Sequence, residues 1–130
     1  MKSRYVLITI VLCAGLFWMS SDPSPPQPPK FFEGQDKVIH AVLYAVLAAV
    51  VSLGIRRSGG TPRFSEQFAA PILFAALYGL SDEIHQLFVP HRNFDPWDVA
   101  ADALGAAAIQ VVLCFFLWAA HHERGSTAQE

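Results

Sequence analysis

The residues best suited to chemistry begin a long apolar segment in the first third of the chain. Asp36, His40 and Tyr44 recur at intervals of four residues, and Lys37 follows the first of them. On a helix this spacing places the carboxylate, the imidazole and the phenol on one face. An imidazole beside a carboxylate can shuttle protons, bridge two helices or bind a metal ion.

A second group of polar residues ends the next apolar segment, and its members are Ser81, Asp82, Glu83, His85 and Gln86, followed by Arg92.

A third group opens the last apolar segment. There, Asp95 suits a helix N-cap and Pro96 the first helical position, so we interpret Asp95 as a cap. Asp98 could serve as a capping acid, as a site residue or as both, whereas Asp102 has no capping role. Gly105 would let two helices approach closely.

These three groups together contain more acids than fixed cations. The acids are Asp36, Asp82, Glu83, Asp98 and Asp102, and the cations are Lys37 and Arg92. A partly buried excess of carboxylates must be relieved by protonation, by charged histidines, by a metal ion or by a cationic ligand group. The sequence leaves these four alternatives open.

The same residues allow two catalytic interpretations. His40, Asp82 and His85 could hold zinc with an open position for water, although no tight ligand motif is present. Ser81, Asp82 and His85 have the residue types of a catalytic triad, but they lie on one continuous helix that offers no oxyanion site. We therefore expect no cofactor, and we keep a divalent metal ion as the less favoured alternative.

The elements that must position these residues are four apolar helices, predicted over residues 5–20, 38–55, 68–88 and 99–120. A bilayer core about 30 Å thick needs roughly 20 apolar residues to cross it, and each segment comes close to that length. Starting from Phe68 and rising 1.5 Å per residue, Asp82 lies about 21 Å across the core. Carboxylates at such a depth usually face a protein interior or a water-filled pocket.

Charge and proline content define the loops and the orientation. The prolines of residues 22–35 favour an extended loop. Basic residues cluster before the first helix, in the second loop and in the tail 121–130, at Lys2, Arg4, Arg56, Arg57, Arg63 and Arg124. This distribution predicts cytoplasmic termini and a Pro-rich loop on the outer side. The bulky residues Phe17, Trp18 and Met19 disfavour a signal-peptide cleavage site, so the first helix is expected to remain.

Composition agrees with a membrane protein. The chain has 130 residues, of which 53% are hydrophobic and 15% charged, with a net charge of −2. Its mean hydropathy is +0.35. The sequence therefore predicts one all-α, polytopic membrane domain over residues 1–130 with four transmembrane helices, and it gives no support for nucleic-acid binding.

Three blocks of the sequence resemble the VanZ-like family. The central block runs from Ser81 to Pro90 and is followed by Arg92 and Phe94; the next runs from Asp98 to Gly105. The earlier block is Asp36–His40 with Tyr44. The blocks occur in the family's order and together cover most of the chain from Asp36 to about Ala108. In that family Gly is common where this chain has His91, so the turn here is not expected to need a left-handed residue. Asp102 stands where many members carry Asn.

The resemblance implies a bacterial cytoplasmic-membrane protein from a family named for a member linked to teicoplanin resistance. It establishes neither a reaction nor a resistance role, and the polar positions are carried over as a presumed site only. Our leading hypothesis is a polar pocket at the outer face that binds a phospholipid headgroup, a lipid-linked cell-wall precursor or a glycopeptide. Arg92 would bind a phosphate or carboxylate, and the acids would bind an amine or a metal ion. The alternative is a metal- or His/carboxylate-dependent hydrolase of a lipid-linked substrate; a third interpretation is that the cluster only ties the helices together.

Overall fold

Four helices make up the fold of the residues that the structure describes. The computed structural model describes residues 1–24, 28–59 and 63–126, with the backbone alone for 117–126. The described residues contain no strand, and the helices are α1 (Ser3–Ser20), α2 (Gln35–Arg56), α3 (Phe64–Gln86) and α4 (Pro96–Ser126). The all-helical prediction is therefore confirmed. Pro25 and Pro26 of the expected outer loop, and residues 127–130 of the expected tail, lie outside the described residues.

Local capping explains where the helices begin and end. The Ser21 hydroxyl donates to the carbonyl of Phe17 at 2.6 Å, closing the last turn of α1 two residues before Pro23. At the start of α3, Glu66 Oε2 accepts the Arg63 backbone N–H at 3.1 Å. This contact is the glutamate half of a capping box, and it stabilises the helix start at Phe64, four residues earlier than predicted. Helix α4 also extends further than predicted, to Ser126 instead of residue 120.

The turn between α3 and α4 ends in a cap that the sequence identified. Asp95 Oδ1 accepts the backbone N–H of Trp97 at 2.8 Å, as an N-cap residue does. The expectation for the preceding residues is wrong, because His91 adopts a left-handed conformation with φ of 64°. The chain must reverse within nine residues between Gln86 and Pro96, and the turn uses this conformation although the residue is not glycine.

Among the described residues, three helices are long and apolar enough to cross a membrane, namely α1, α2 and the Pro96–Phe116 part of α4. Helix α3 is as long as α2 but carries polar residues in its first and last turns, which lower its hydropathy. Large apolar side chains such as Leu7, Leu77 and Leu104 are each more than 60% exposed. An exposed apolar surface of this extent fits contact with lipid.

Small residues allow the helices to pack closely. The most extensive interface joins α2 and α4, and its core contains Leu47, Ala48 and Ala106, all fully buried. At Gly105 a Cβ atom would lie 2.6 Å from the backbone Cα and C atoms of Ala41. Because lipid chains are as apolar as the helix surfaces, such close backbone packing is a main source of helix association in membranes.

Replacing Gly105 with alanine is expected to destabilise the protein by about 1–3 kcal/mol, because the new methyl group must push α2 away from α4. Gly15→Ala is the matched control, since no atom lies within 4 Å of a Cβ at that position. The free energy of unfolding of both variants is measured on the purified proteins with increasing concentrations of a denaturing detergent. Equal stability of the two variants would show that α2 and α4 are not in close contact at Gly105.

The same packing gathers the polar residues at one end of the bundle. The C-terminal ends of α1 and α3 meet the N-terminal ends of α2 and α4 there, as the pairs Ser20–Asp82 and Lys37–Asp98 show. We call this the polar end.

Candidate functional site

Lys37 is the cation of an ion-pair cluster at the polar end. Its Nζ lies 3.0 Å from Asp36 Oδ2 and 2.6 Å from Asp98 Oδ1, and it also bonds Asp95. The hydrogen bond from Lys37 holds the pKa of the Asp95 carboxyl below its usual range. The Lys37 ammonium group thus forms ion pairs with three carboxylates, one on α2 and two at the start of α4.

Glu83 anchors the turn between α3 and α4 from inside the bundle. It is 1% exposed. Its Oε1 accepts the Gln86 amide at 3.0 Å, and its Oε2 accepts the Asp95 backbone N–H at 2.8 Å. Gln86 in turn accepts Arg92 Nε at 3.1 Å. Because Glu83 takes the N–H that a capping-box acid would take, Asp98 is not a capping acid and its carboxylate is free for Lys37 and His40.

His40 and Asp102 form a pair between α2 and α4. The distance from His40 Nδ1 to Asp102 Oδ1 is 3.1 Å, and Asp102 is fully buried. His40 Nε2 lies 3.7 Å from Asp98 Oδ2, on the other side of the ring. When Asp102 is ionised, its Oδ1 accepts a hydrogen bond from His40 Nδ1–H, and Nε2 is directed toward Asp98. Gly79 leaves the room for the Asp102 carboxylate, because a Cβ there would lie 3.0 Å from Asp102 Cγ.

Helix α1 contributes a side to the polar end that the sequence did not predict. The Ser20 hydroxyl donates to Asp82 Oδ1 at 2.5 Å. The Ser21 hydroxyl lies 3.1 Å from His85 Nε2, and the Phe17 ring packs on the His85 ring at 4.5 Å. Two serines at the end of an apolar helix were the only signal in the sequence, and they read equally well as helix-ending residues.

A cavity of about 480 Å³ lies among these groups. Eight of the predicted site residues line it: Asp36, Lys37, His40, Tyr44, Asp82, Gln86, Arg92 and Asp98. The other four do not line it. Glu83 and Asp102 lie buried behind the lining, Ser81 is exposed and donates to the Tyr78 carbonyl, and His85 faces α1. The sequence missed Ser20, and it assigned Asp95 to capping alone, although Asp95 both caps α4 and lines the cavity.

The predicted metal-ligand set does not come together as proposed. His85 faces Ser21 and Phe17, whereas His40 faces α4. Within the described ranges, the ligand atoms that lie within 4.8 Å of one another belong to His40, Glu83 and Asp98. The sequence could not distinguish the predicted ligand set from the observed one, because Asp82, Glu83 and His85 are close together on one helix. Only tertiary packing decides which of the three side chains is directed toward α2 and α4.

The arrangement was compared with known proteins. A family model described as VanZ/LLP1 matches residues 5–118, which include every residue of the polar end described above. The chain belongs to the VanZ/LLP1 family. No curated protein and no solved structure matches it. The resemblance inferred from the sequence blocks is therefore confirmed, and this VanZ/LLP1 chain is a membrane protein.

The cavity of this VanZ/LLP1 protein has a mixed but predominantly acidic lining. Four carboxylates, those of Asp36, Asp82, Asp95 and Asp98, face it together with the cations Lys37 and Arg92. Lys37 is shared among three of the carboxylates. By contrast, Arg92 Nη1 and Nη2 donate to no group in the part of the chain that the structure describes. The site can thus offer a guanidinium fork to an anion and carboxylates to a cation.

Proposed function

We propose that this protein binds a headgroup that carries both a phosphate and an amine, as part of a membrane lipid or a lipid-linked cell-wall precursor. The protein would cross the bacterial cytoplasmic membrane four times with both termini in the cytoplasm. The polar end would then lie at the outer face. The observation that carries this proposal is the Arg92 guanidinium, whose Nη atoms have no partner among the described residues, in one cavity with four carboxylates, three of which share Lys37 as their cation.

Burial supports α3 as the fourth span. At 23 residues it is about 35 Å long, enough to cross a bilayer core. Its acids Asp82 and Glu83 are 7% and 1% exposed, so neither faces the surroundings of the bundle. A hydropathy average treats these two buried acids as if they were exposed to lipid. It therefore underestimates the suitability of α3 as a membrane-spanning helix.

The chemistry of the lining supports an amphiphile with two charges. A guanidinium binds phosphate through two parallel N–H donors, whereas carboxylates bind an ammonium group. A cavity of about 480 Å³ is the size of a site for a small ligand. This size favours a headgroup over a whole glycopeptide. Any role in glycopeptide resistance would therefore depend on binding of the lipid or the precursor, not of the glycopeptide itself.

Binding of soluble short-chain lipids tests the proposal. The purified protein is expected to bind dihexanoyl phosphatidylethanolamine more tightly than the phosphatidylglycerol of equal chain length, which lacks the amine. Arg92→Gln should weaken this binding by about tenfold or more, because a charge-assisted hydrogen bond is lost. Arg57→Gln, at the opposite end of α2, is the control. A parallel titration with a short-prenyl diphosphate muramyl peptide distinguishes a precursor from a phospholipid. Equal binding of both phospholipids, unaffected by Arg92→Gln, would contradict the proposal.

Cysteine labelling tests the topology. In a background without Cys13 and Cys114, Glu33→Cys is expected to react with an impermeant maleimide added to intact cells, and Ser58→Cys only after the membrane is opened. Both positions are exposed and lie in different loops. The opposite pattern would place the polar end at the cytoplasmic face, and labelling of both positions from outside would exclude α2 as a span.

A second candidate function is hydrolysis of a lipid-linked phosphoester or amide. The observation in its favour is the His40–Asp102 pair, in which a buried carboxylate orients an imidazole whose other nitrogen is turned toward Asp98 at the cavity. This is the arrangement of a general base. The muramyl peptide titration also tests this function. A released product that disappears with His40→Gln would establish hydrolysis, and unchanged substrate would exclude it for that compound.

A further inference from the structure

We propose that His40, Glu83 and Asp98 form a binding site for one divalent transition-metal ion. They lie on three different helices, α2, α3 and α4, and each offers a ligand atom within 4.8 Å of the others. One imidazole and two carboxylates make a mixed nitrogen and oxygen donor set. Such a set suits Zn²⁺ or Mn²⁺, whereas Mg²⁺ and Ca²⁺ prefer oxygen alone.

The groups behind these three residues are arranged as those behind metal ligands are. Metal-binding histidines usually donate their second ring N–H to a carboxylate, and His40 Nδ1 has Asp102 Oδ1 at 3.1 Å. Ligating carboxylates are themselves held by hydrogen bonds. Asp98 Oδ1 accepts Lys37 at 2.6 Å, which leaves Oδ2 on the side of His40 Nε2.

Glu83 is held still more firmly. Both of its oxygens accept one hydrogen bond, from the Gln86 amide and from the Asp95 backbone, and each keeps a second lone pair. Glu83 is therefore a carboxylate oriented by two hydrogen bonds, each of whose oxygens can still bind an ion.

An independent feature of the cavity also points to a bound polar group. Tyr44 is 2% exposed and lines the cavity, and its hydroxyl has no partner among the described residues. The Tyr44 ring stacks beside His40 with the two ring planes 5° apart. A buried hydroxyl without a partner is rare in proteins. Water on an ion held by His40 would supply the missing partner.

Electrostatics favours a cation at this point. Glu83, Asp98 and Asp102 surround His40, and Lys37, the fixed cation that contacts one of them, is also paired with Asp36 and Asp95. A divalent ion would offset the remaining negative charge. It would also give the cavity an electrophile beside Arg92, so that a phosphate could be held from two sides.

Metal binding is tested on the full-length, tag-free protein in lipid nanodiscs after removal of bound ions with a chelator. The tail histidines His121 and His122 are replaced by glutamine in every sample, so that they bind no ion. Equilibrium dialysis with Zn²⁺ is expected to give one ion per chain. With Mn²⁺ alone, pulsed electron paramagnetic resonance should detect coupling to one imidazole nitrogen, a signal that requires no variant.

The variants separate ligands from neighbours. His40→Gln and the isosteric Asp98→Asn should each abolish stoichiometric binding. Asp102→Asn should weaken it by about 10–100-fold, because Asp102 only orients His40. His85→Gln, which alters the histidine that faces α1, should leave it unchanged. If one ligand variant fails to fold, the other decides.

Two results would overturn the site: binding of neither ion by the protein in which His40, Glu83 and Asp98 are intact, or full occupancy in the Asp98→Asn and His40→Gln proteins. The proposed headgroup binding fails separately. If the protein binds Zn²⁺ but no phosphatidylethanolamine, the metal site is supported and the proposed headgroup binding is wrong. If it binds phosphatidylethanolamine but no metal ion, only the proposed metal site is wrong.

Discussion

Replacing Glu83 with alanine is expected to lower the free energy of unfolding by about 3 kcal/mol or more, because one buried and one partly buried donor lose their acceptor. The donors are the Asp95 backbone N–H and the Gln86 amide, which Glu83 binds at 2.8 and 3.0 Å. Loss of the first frees the start of α4 from α3. Loss of the second releases Gln86, and with it the hydrogen bond that orients Arg92.

Glu66 provides the matched control for this prediction. It also lies on α3 and also accepts one backbone N–H, from Arg63, but it is exposed. Glu66→Ala should therefore cost only about 1 kcal/mol, as loss of a helix cap does. Both variants are measured by reversible unfolding in mixed micelles. If Glu83→Ala were no more harmful than Glu66→Ala, Glu83 would not be the buried anchor of the turn.

Lys37→Met is expected to lower the free energy of unfolding by about 2 kcal/mol at neutral pH, because Asp98 loses its charge-assisted hydrogen bond. Methionine keeps most of the apolar stem, so the change isolates the ammonium group. The variant leaves Asp36, Asp95 and Asp98 without the cation they share. Lys30→Met is the control, since Lys30 is exposed and forms no ion pair within residues 28–59 or with the rest of the described chain.

The pH dependence of that difference follows from Asp95. Lys37 lowers the pKa of the Asp95 carboxyl in the folded protein. A depressed pKa of this kind contributes stability that is complete above the unfolded value of about 4 and is lost as the pH falls through the folded value. The difference between wild type and Lys37→Met should therefore be constant near neutral pH and shrink in acid below about pH 4. A difference that grew in acid would contradict the ion-pair cluster.

Much of the fold could be predicted from local signals. Long apolar runs predicted four helices in their order, and the cap at Asp95 was identified because Asp-Pro is a strong helix start. The helix ends were predicted less well. The early start of α3 depends on a contact between Glu66 and the Arg63 backbone, and such a contact competes with many other possible turns until the chain is folded.

The conformation of His91 shows a different limit of sequence patterns. A residue other than glycine at this position predicts a turn that does not need a left-handed conformation, yet His91 adopts φ of 64°. The conformation is imposed by the two helices on either side, since Glu83 and Gln86 hold the turn at Asp95 and Arg92. Intrinsic preference at a single residue amounts to about 1–2 kcal/mol, and several tertiary hydrogen bonds can exceed it.

The amino-acid sequence by itself determined that the chain is helical, that it belongs in a membrane, and that its acids and histidines concentrate at the ends of three helices, because apolar length and helical spacing are local properties. Tertiary structure alone decided which of those side chains meet. His85 lies only three positions after Asp82, yet packing turns Asp82 toward the cavity and His85 toward Phe17. Rotation of a helix about its axis depends on close contacts such as that of Gly105 with Ala41, and these form between residues distant in the chain.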